Sequence, residues 1–548
     1  MSNLNDLMLS LGVLNTPTWF DKVQLPNWPM PHQAETLKAY SRFFRYGDFS
    51  DPGTGKTYPA QAHAVLMAAL GNKVVFAMPP KLIGQFEGEL YDFFCGVQNH
   101  LRVGRLDELA APKKLSQIQQ WDATGWPDIL LLSYDMYRFL NDRAPTKSIG
   151  RNLWRLQDGS PYWKEQDVPW VPNATPYTKD GREISKRGKA SNPFCLKLLK
   201  VGYNVLFFDE AHALCGTESI LSQSVKEMSD QLGDEIAIYL MTGTPVPTHL
   251  HDSYGIIRLI NPQAYSSYAG FERRHCLTKL IPVRGKQGKQ IKVKQIYGYQ
   301  NTEAVHQAIY KNARRVQKRD VVPMPDPVVS QVRVRLAPRH KKLYDKIVQE
   351  RFAVLGDRVL APDSQSEVRA LALQLISCPD EFDPTLSKDN EVAAACDALL
   401  DSIDPKQHKV LIFAFHKSVI KFLAHRYAEW NPAVVYGESS GSSDVEKFKK
   451  DPTCRVAIVN WVSGGAGLNL QMAHHVIFYE CPTSPKDAKQ GIARVDRKGQ
   501  ANIVNVYFLR VMGTFSDRNF KNLLKNEISN NEVVRDTRDL LHEFLKAS

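Results

Sequence analysis

The sequence predicts an α/β protein of two lobes, each a mainly parallel sheet flanked by helices, and three observations predict it. Short, almost continuous apolar runs, KVVFAM (73–78), DILLLSY (128–134), NVLFFDE (204–210) and AIYLMTG (237–243), alternate with helix-length segments. Strands covered on both faces read this way, and helix-covered parallel sheets produce them. A second series, KVLIFAF (409–415), AVVYG (433–437), RVAIVN (455–460), HVIFYE (475–480) and NIVNVYFL (502–509), follows after a break, which implies two layered units. The length of 548 residues accommodates both, at roughly 100–200 residues per domain.

In chain order, Leu4, Leu7, Met8 and Leu11 recur at helical spacing, which predicts a short amphipathic helix docked on the body. The expected division is an N-terminal appendage (1–29), a first lobe (30–260) with an insertion at 141–200, a basic connector and hinge (261–330), a second lobe (331–515) and a helical tail (516–548). The tail has room for about two helices. The insertion is rich in Pro, Gly and Trp, and Lys179, Arg182, Lys186, Arg187 and Lys189 cluster near its end. Residues 284–319 carry Arg284, Lys286, Lys289, Lys292, Lys294, Lys311, Arg314, Arg315, Lys318 and Arg319 against very few acids. Beyond them Pro323, Pro325 and Pro327 stiffen the chain against helix.

Hydrophobic residues at 43% and charged residues at 23% exclude a mainly disordered or collagen-like chain. Seventy Lys and Arg against 58 Asp and Glu give +12, a field that attracts polyanions such as nucleic acid. The eight cysteines are scattered without a C-x-x-C pair, against a zinc ribbon or a secreted disulfide framework. The first residues lack the basic start and apolar core of a signal peptide, and no stretch approaches the roughly 18 apolar residues of a membrane span. The expectation is a cytoplasmic protein with no membrane partner.

Two motifs carry phosphate chemistry. Ser50-Asp51-Pro52-Gly53-Thr54-Gly55-Lys56-Thr57 precedes a helix-compatible run. The glycines let backbone N–H groups turn toward a phosphate, the helix N-terminus adds positive potential, Lys56 reaches the β- and γ-phosphates, and the Thr57 hydroxyl can bind Mg²⁺. Asp209-Glu210-Ala211-His212 closes the run NVLFF. A carboxylate at the C-terminal end of a buried strand lies where open α/β sheets bind ligand, so Asp209 can hold Mg²⁺ while Glu210 positions or deprotonates water.

With these motifs in order, the chain resembles superfamily 2 helicase-like ATPases of the Swi/Snf (sucrose-non-fermenting) type, in a minimal bacterial or bacteriophage form. MPHQAETLKAY places Gln33 at the family's adenine-reading glutamine, and SDPGTGKT, DEAH and LMTGTPVPTHL correspond to motifs I, II and III. KVLIFAFHKSVIKFL resembles motif IV, SGGAGLNLQ motif V with Gly464, Gly465, Gly467 and Asn469, and QGIARVDRKGQ motif VI. Ser443 and Glu446 have the spacing of a capping box, which predicts the start of the helix after VVYGESSGSS. Some positions depart from the pattern: Thr248 follows TGTP where Asn is common, and Asp496 replaces the usual His of motif VI.

The resemblance implies two RecA-like lobes with ATP and Mg²⁺ bound between them. Gln33, Gly53, Thr54, Gly55, Lys56, Thr57 and Gly467 would hold nucleotide, and Thr57 and Asp209 the metal. Lys56, Asp209, Glu210, Gln490, Arg494 and Arg497 would be catalytic, Arg497 acting as an arginine finger, and His212, Thr242 and Thr244 would couple hydrolysis to lobe motion. Lys81, Ser133, Tyr134, Arg315, Ser439 and Ser440 would touch DNA, with Arg182, Lys186 and Arg187 as further candidates. The implied activity is a DNA-stimulated ATPase moving as a monomer on double-stranded or branched DNA. A strand-separating DNA or RNA helicase and an ATP-switched nucleic-acid-binding scaffold stay open as alternatives.

Overall fold

Val, Ile, Leu and Phe crowd the strands because helices cover both faces of the two main sheets, and every pairing in those sheets is parallel. The computed structural model describes residues 2–14, 16–106, 111–137, 153–155, 161–163, 175–177, 193–217, 219–284, 290–322, 324–351, 353–355, 358–360, 362, 364–383, 385–386, 390–436, 441–462, 470–497 and 499–534.

The first lobe begins with β1 (Arg45–Asp48), β2 (Lys73–Met78), β3 (Val103–Leu106) and β4 (Ile129–Ser133). Three short strands, β5 (Leu153–Arg155), β6 (Pro161–Trp163) and β7 (Thr175–Tyr177), form an antiparallel sheet of their own. The main sheet resumes with β8 (Tyr203–Asp209) and β9 (Ala237–Met241). Next, β10 (Cys276–Arg284) and β11 (Gln290–Tyr299) pair as a separate antiparallel ribbon, and β12 (Ala313–Arg314) completes the sheet order β12-β1-β9-β8-β2-β4-β3. Alternate residues divide the core by face. Phe76, Phe207 and Tyr239 stack at centroid distances of 4.5 and 4.7 Å beneath the helix Thr57–Ala69. Leu206, Phe208, Ile238 and Leu240 pack on the opposite face with the helices Ile220–Leu232 and Tyr254–Ile260.

The second lobe contains β13 (Val328–Val334), a small antiparallel pair β14 (Ala353–Leu355) and β15 (Arg358–Leu360), then β16 (Val410–Ala414), β17 (Ala433–Val435), β18 (Val456–Asn460), β19 (His475–Phe478) and β20 (Asn505–Val511). Its six-stranded sheet runs β13-β20-β19-β16-β18-β17. Among the described residues no helix is long and apolar enough to cross a membrane.

Several boundaries differ from those expected. The N-terminal helix Leu4–Ser10 is capped by Asn3 and buries Leu4, Leu7 and Met8 in the first lobe's core, so this segment is part of that core. The end of the insertion is also core: the helix Pro193–Val201 buries Phe194, Cys195 and Leu198, and most of the remainder lies outside the described residues. The basic connector is largely built into the first lobe, because Val305, Ala308 and Ile309 of the helix Thr302–Tyr310 enter its core and β12 extends its sheet. The helix Gly441–Lys450 begins before Ser443, so Ser443 and Glu446 do not mark its start.

The expected tail is a single described helix, Phe515–Val534, about 30 Å long, and it joins both lobes. Phe520, Leu523 and Leu524 pack in the second lobe's core, whereas Val533 is fully buried in that of the first. Asn530 donates to the carbonyl of Val246 at 3.1 Å, and His306 Nδ1 lies 2.6 Å from the carbonyl of Val533. Truncating Val533→Ala should cost about 2 kcal/mol, the low end for a buried aliphatic side chain. Leu9→Ala, on a side chain 47% exposed, should stay within about 0.5 kcal/mol. Paired thermal melts check the contrast.

Candidate functional site

The C-terminal ends of β1, β8 and β9 converge on one crevice, where open α/β sheets take ligands. After β1 the chain forms the loop 49–56 and then enters the helix at Thr57. Gly53 and Gly55 adopt φ of +84° and +80°, a region costly for residues with a Cβ. At Gly55 a Cβ would also sit 2.4 Å from Gln33 Nε2. That Nε2 donates to the carbonyl of Gly55 at 2.9 Å, while Gln33 Oε1 accepts from Met30 N at 2.8 Å. His32 Nε2 lies 2.8 Å from the carbonyl of Thr54, whose own hydroxyl donates to Asp51 O at 2.8 Å. Lys56 Nζ donates to the carbonyls of Ser50 (2.8 Å) and Asp51 (3.1 Å).

Two carboxylates face this loop with opposite tendencies. Burial, then the charge of Glu210, push Asp209 up to about 7 against the pull of Lys56 and the Glu210 N–H, which donates to Asp209 Oδ1 at 2.9 Å. Burial would also raise Glu210, but a hydrogen bond and charge from His212, with Lys56 and Lys486, outweigh it and hold Glu210 below the usual carboxylate range. Glu210 sits at φ +52°, a left-handed conformation costing about 1–2 kcal/mol for a residue with a Cβ. His212 Nδ1 lies 3.1 Å from Glu210 Oε2 and 3.4 Å from Thr242 Oγ1. Thr242 Oγ1 accepts from Thr244 N at 3.1 Å. These side chains form a continuous chain from the carboxylate to the loop after β9.

The second lobe closes the crevice with the helix Pro485–Ile492 and the turn after it. Gln490 Nε2 donates to Glu210 Oε2 at 3.4 Å. Arg494 is 2% exposed, and burial, with the charge of Arg497 beside it, brings it down to about 10. Its Nε is buried without a hydrogen-bond partner among the described residues. Arg497 Nε donates to the carbonyl of Ala493 at 2.9 Å, and burial lowers this guanidinium too, against the opposing charges of Glu89 and Glu210. The gap bounded by Asp51, Glu210, Thr244, Lys318, Gln490 and Asp496 measures about 60 Å³.

An ion-pair chain that sequence reading missed crosses this gap. Asp51, inside the phosphate loop, accepts from Arg315 Nη2 at 2.9 Å and from the backbone N–H of Lys318 at 3.0 Å. Lys318 Nζ then reaches the second lobe, 2.7 Å from Asp496 Oδ1 and 2.6 Å from the Asp496 carbonyl. Burial lowers the Lys318 ammonium and Asp496 partly restores it. Thr248 and Ser484 bond across the lobes at 3.4 Å, and Ser484 Oγ also donates to Pro247 O at 3.2 Å. The available signal was the two departures at Asp496 and Thr248, both of which contact the opposite lobe.

Three of the expected DNA contacts are engaged within the protein. Ser133 is 1% exposed at the end of β4, and the hydroxyl of Tyr134, the next residue, donates to the carbonyl of Asp209 at the end of β8. Arg315 is turned inward onto Asp51. Lys81 is exposed in the first turn of the helix Pro80–Phe93. Gly467, Ser439, Ser440, Arg182, Lys186 and Arg187 lie outside the described residues.

The donor set suits a magnesium nucleotide. Asp209, raised by burial and then by the second carboxylate beside it, gains from an added cation, and Arg494 Nε, without a partner among the described residues, offers a donor to an anion. No group of three or more His, Cys, Asp or Glu forms a metal cage among the described residues.

Residues 175–378 match the SNF2-related domain and residues 391–499 the helicase conserved C-terminal domain, together more than half of the chain. Among curated relatives, the TATA-binding protein-associated factor MOT1 of Saccharomyces cerevisiae is 24% identical over 63% of this chain and 22% of its own length. The human DNA annealing helicase and endonuclease ZRANB3 is 23% identical over 64% and 33%. The chain thus spans between about a fifth and a third of these relatives. The Sulfolobus solfataricus SWI2/SNF2 ATPase core in complex with dsDNA aligns over 93% of this chain and 94% of that one, at 18% identity and a TM-score of 0.36. With both domain models matched in order, the chain belongs to the Swi/Snf-type, helicase-like ATPases of superfamily 2.

Proposed function

We propose that the protein is an ATP-dependent translocase on double-stranded DNA, remodelling DNA structures or protein–DNA complexes and acting on branched DNA as well as simple duplex. The observation that carries this reading is the cleft itself, where Glu210 of one lobe meets Gln490, with Arg494 and Arg497 nearby, of the other. A single chain supplies both walls, which supports a monomer. The eight cysteines are free thiols, in keeping with a cytoplasmic setting.

In this reading Lys56, the loop N–H groups and the helix N-terminus at Thr57 bind the phosphates, and Gln33 braces the loop from beneath. Thr57 and Asp209 would hold Mg²⁺, which would supply positive charge to offset that of the phosphates. Glu210, kept ionised by His212, takes a proton from the attacking water. Gln490 fixes that carboxylate, and Arg494 and Arg497 face the charge that develops on the transferred phosphoryl group. The lobes part to admit nucleotide and close again for chemistry, bringing Gln490 onto Glu210. The strain of one closure per turnover then drives movement along DNA.

Arg497→Ala should lower kcat by on the order of 10³-fold or more, the scale of an arginine finger, with Glu210→Gln at least as severe. Wild-type rates from either variant would overturn these assignments. Because Asp209 must lose its proton to bind a cation, affinity for Mg²⁺-nucleotide should rise as pH increases through about 7, and Asp209→Asn should abolish that rise in a fluorescent-nucleotide titration. Lys318→Met, which breaks the link to Asp496, should leave nucleotide affinity near wild type and reduce kcat; an unchanged kcat would remove Lys318 from the closing machinery. Comparing ATPase stimulation by duplex DNA, single-stranded DNA and RNA, with triplex-displacement and strand-unwinding assays beside it, separates translocation from strand separation and from a passive switch.

A further inference from the structure

The β10–β11 ribbon leaves the body of the first lobe and pairs with no other strand among the described residues. Between Cys276 and Tyr299 the sequence contains six Lys and Arg and not one Asp or Glu. The structure also separates this charge from the rest of the basic connector. Arg314 pairs with Glu35, Arg315 with Asp51 and Lys318 with Asp496, so much of the later charge is neutralised within the protein. Lys279 and Lys292 stand exposed on the ribbon.

The pairing register sorts the side chains by face. Leu280 opposite Lys294 and Pro282 opposite Lys292 share one face; Lys279 opposite Gln295 and Ile281 opposite Val293 share the other, with Tyr297. Leu280 is 64% exposed, Tyr297 50% and Val293 41%, and Lys279 Nζ lies 5.8 Å from the centre of the Tyr297 ring. The base of the ribbon is fixed to the body. Lys294 bonds Glu272 at 2.6 Å, the Tyr299 hydroxyl lies 2.9 Å from His251 Nδ1, and a register shift after Leu277 adds twist.

Lysines on a lone ribbon guard its edges against pairing with another chain, but that purpose does not call for three large apolar side chains in water beside them. Both features suit a groove of duplex DNA. The major groove admits a two-stranded ribbon, and strands of 9 and 10 residues reach about 30 Å, close to one turn of duplex. We propose that the β10–β11 ribbon lies in a groove of double-stranded DNA, with the face of Val293 and Tyr297 against the sugars and base edges within and Lys279 and Lys292 on backbone phosphates. Apolar contact with a groove reads little sequence, as a moving motor requires. The inference rests on the translocase reading and names the surface that grips the track outside the ATP cleft.

The test uses the full chain, a fluorescent duplex and a salt series. Lys279→Gln with Lys292→Gln removes two phosphate contacts, so the slope of log K against log salt should become shallower by about 1.8, while ATPase activity without DNA stays at wild-type level. Val293→Ser should weaken binding and leave the slope unchanged, whereas Leu280→Ser, on the opposite face, should change neither. A photoreactive benzoylphenylalanine replacing Tyr297 should crosslink to duplex in preference to single-stranded RNA. If wild type binds duplex steeply but the lysine variant keeps the same slope and the probe does not crosslink, the ribbon assignment is overturned and the translocase reading stands. The ribbon assignment is likewise overturned if the variants only aggregate while their soluble fraction binds normally, which is edge protection alone. If wild type neither binds duplex nor is stimulated by it, the translocase reading itself fails.

Discussion

Asp51 is the residue on which the geometry of the cleft turns. Its carboxylate is 4% exposed inside the phosphate loop, where an uncompensated negative charge would repel a nucleotide. Arg315 and the Lys318 backbone N–H cancel that charge at opposite oxygens, and in doing so pin the connector to the loop. Because Lys318 then continues to Asp496, one residue before Arg497, the loop that receives phosphate and the turn that carries the finger share a mechanical path. Breaking one partner of such a buried pair strands the other without solvent, so the path is stiff.

The electrostatic layout of the crevice follows a division of labour between neighbouring acids. Asp209 and Glu210 are adjacent, yet one tends toward the protonated form and the other toward the ionised form. The difference comes from partners: Glu210 has His212 and Gln490, whereas Asp209 has mainly Lys56 and a backbone N–H. Environments that drive two carboxyl groups apart commonly mark separate roles. The left-handed backbone at Glu210 helps make this possible, because it directs consecutive side chains to different parts of the cleft.

The parts legible in the sequence were those with a local signature. Buried strands announced themselves as apolar runs, and the glycine loop and the DEAH tetrapeptide carried their chemistry in consecutive residues. Partnerships between distant residues were not legible. Nothing local distinguishes Arg315, which is buried on Asp51, from Lys292, which is exposed; both look like members of one basic stretch. Ser133 and Tyr134 close an apolar run, as contact residues do, but Ser133 is buried and the Tyr134 hydroxyl is given to the Asp209 carbonyl. The connector read as a linker because its charge and prolines were visible while the burial of Val305 and Ile309 was not. Asp496 stood out only as a departure from a pattern, and its reason, Lys318, lies 178 positions earlier.

The final helix has a bearing on how the chain can be divided. Since Val533 occupies the first lobe's core although it follows the whole second lobe, cutting the chain before β13 would not yield two self-sufficient halves. The N-terminal piece would keep an empty apolar slot, and the C-terminal piece would present an exposed valine held out on a rigid rod. Each piece thus carries a recognition element for the other. Mixed in solution, the halves are suited to reassociate as a split protein, with the helix serving as the plug.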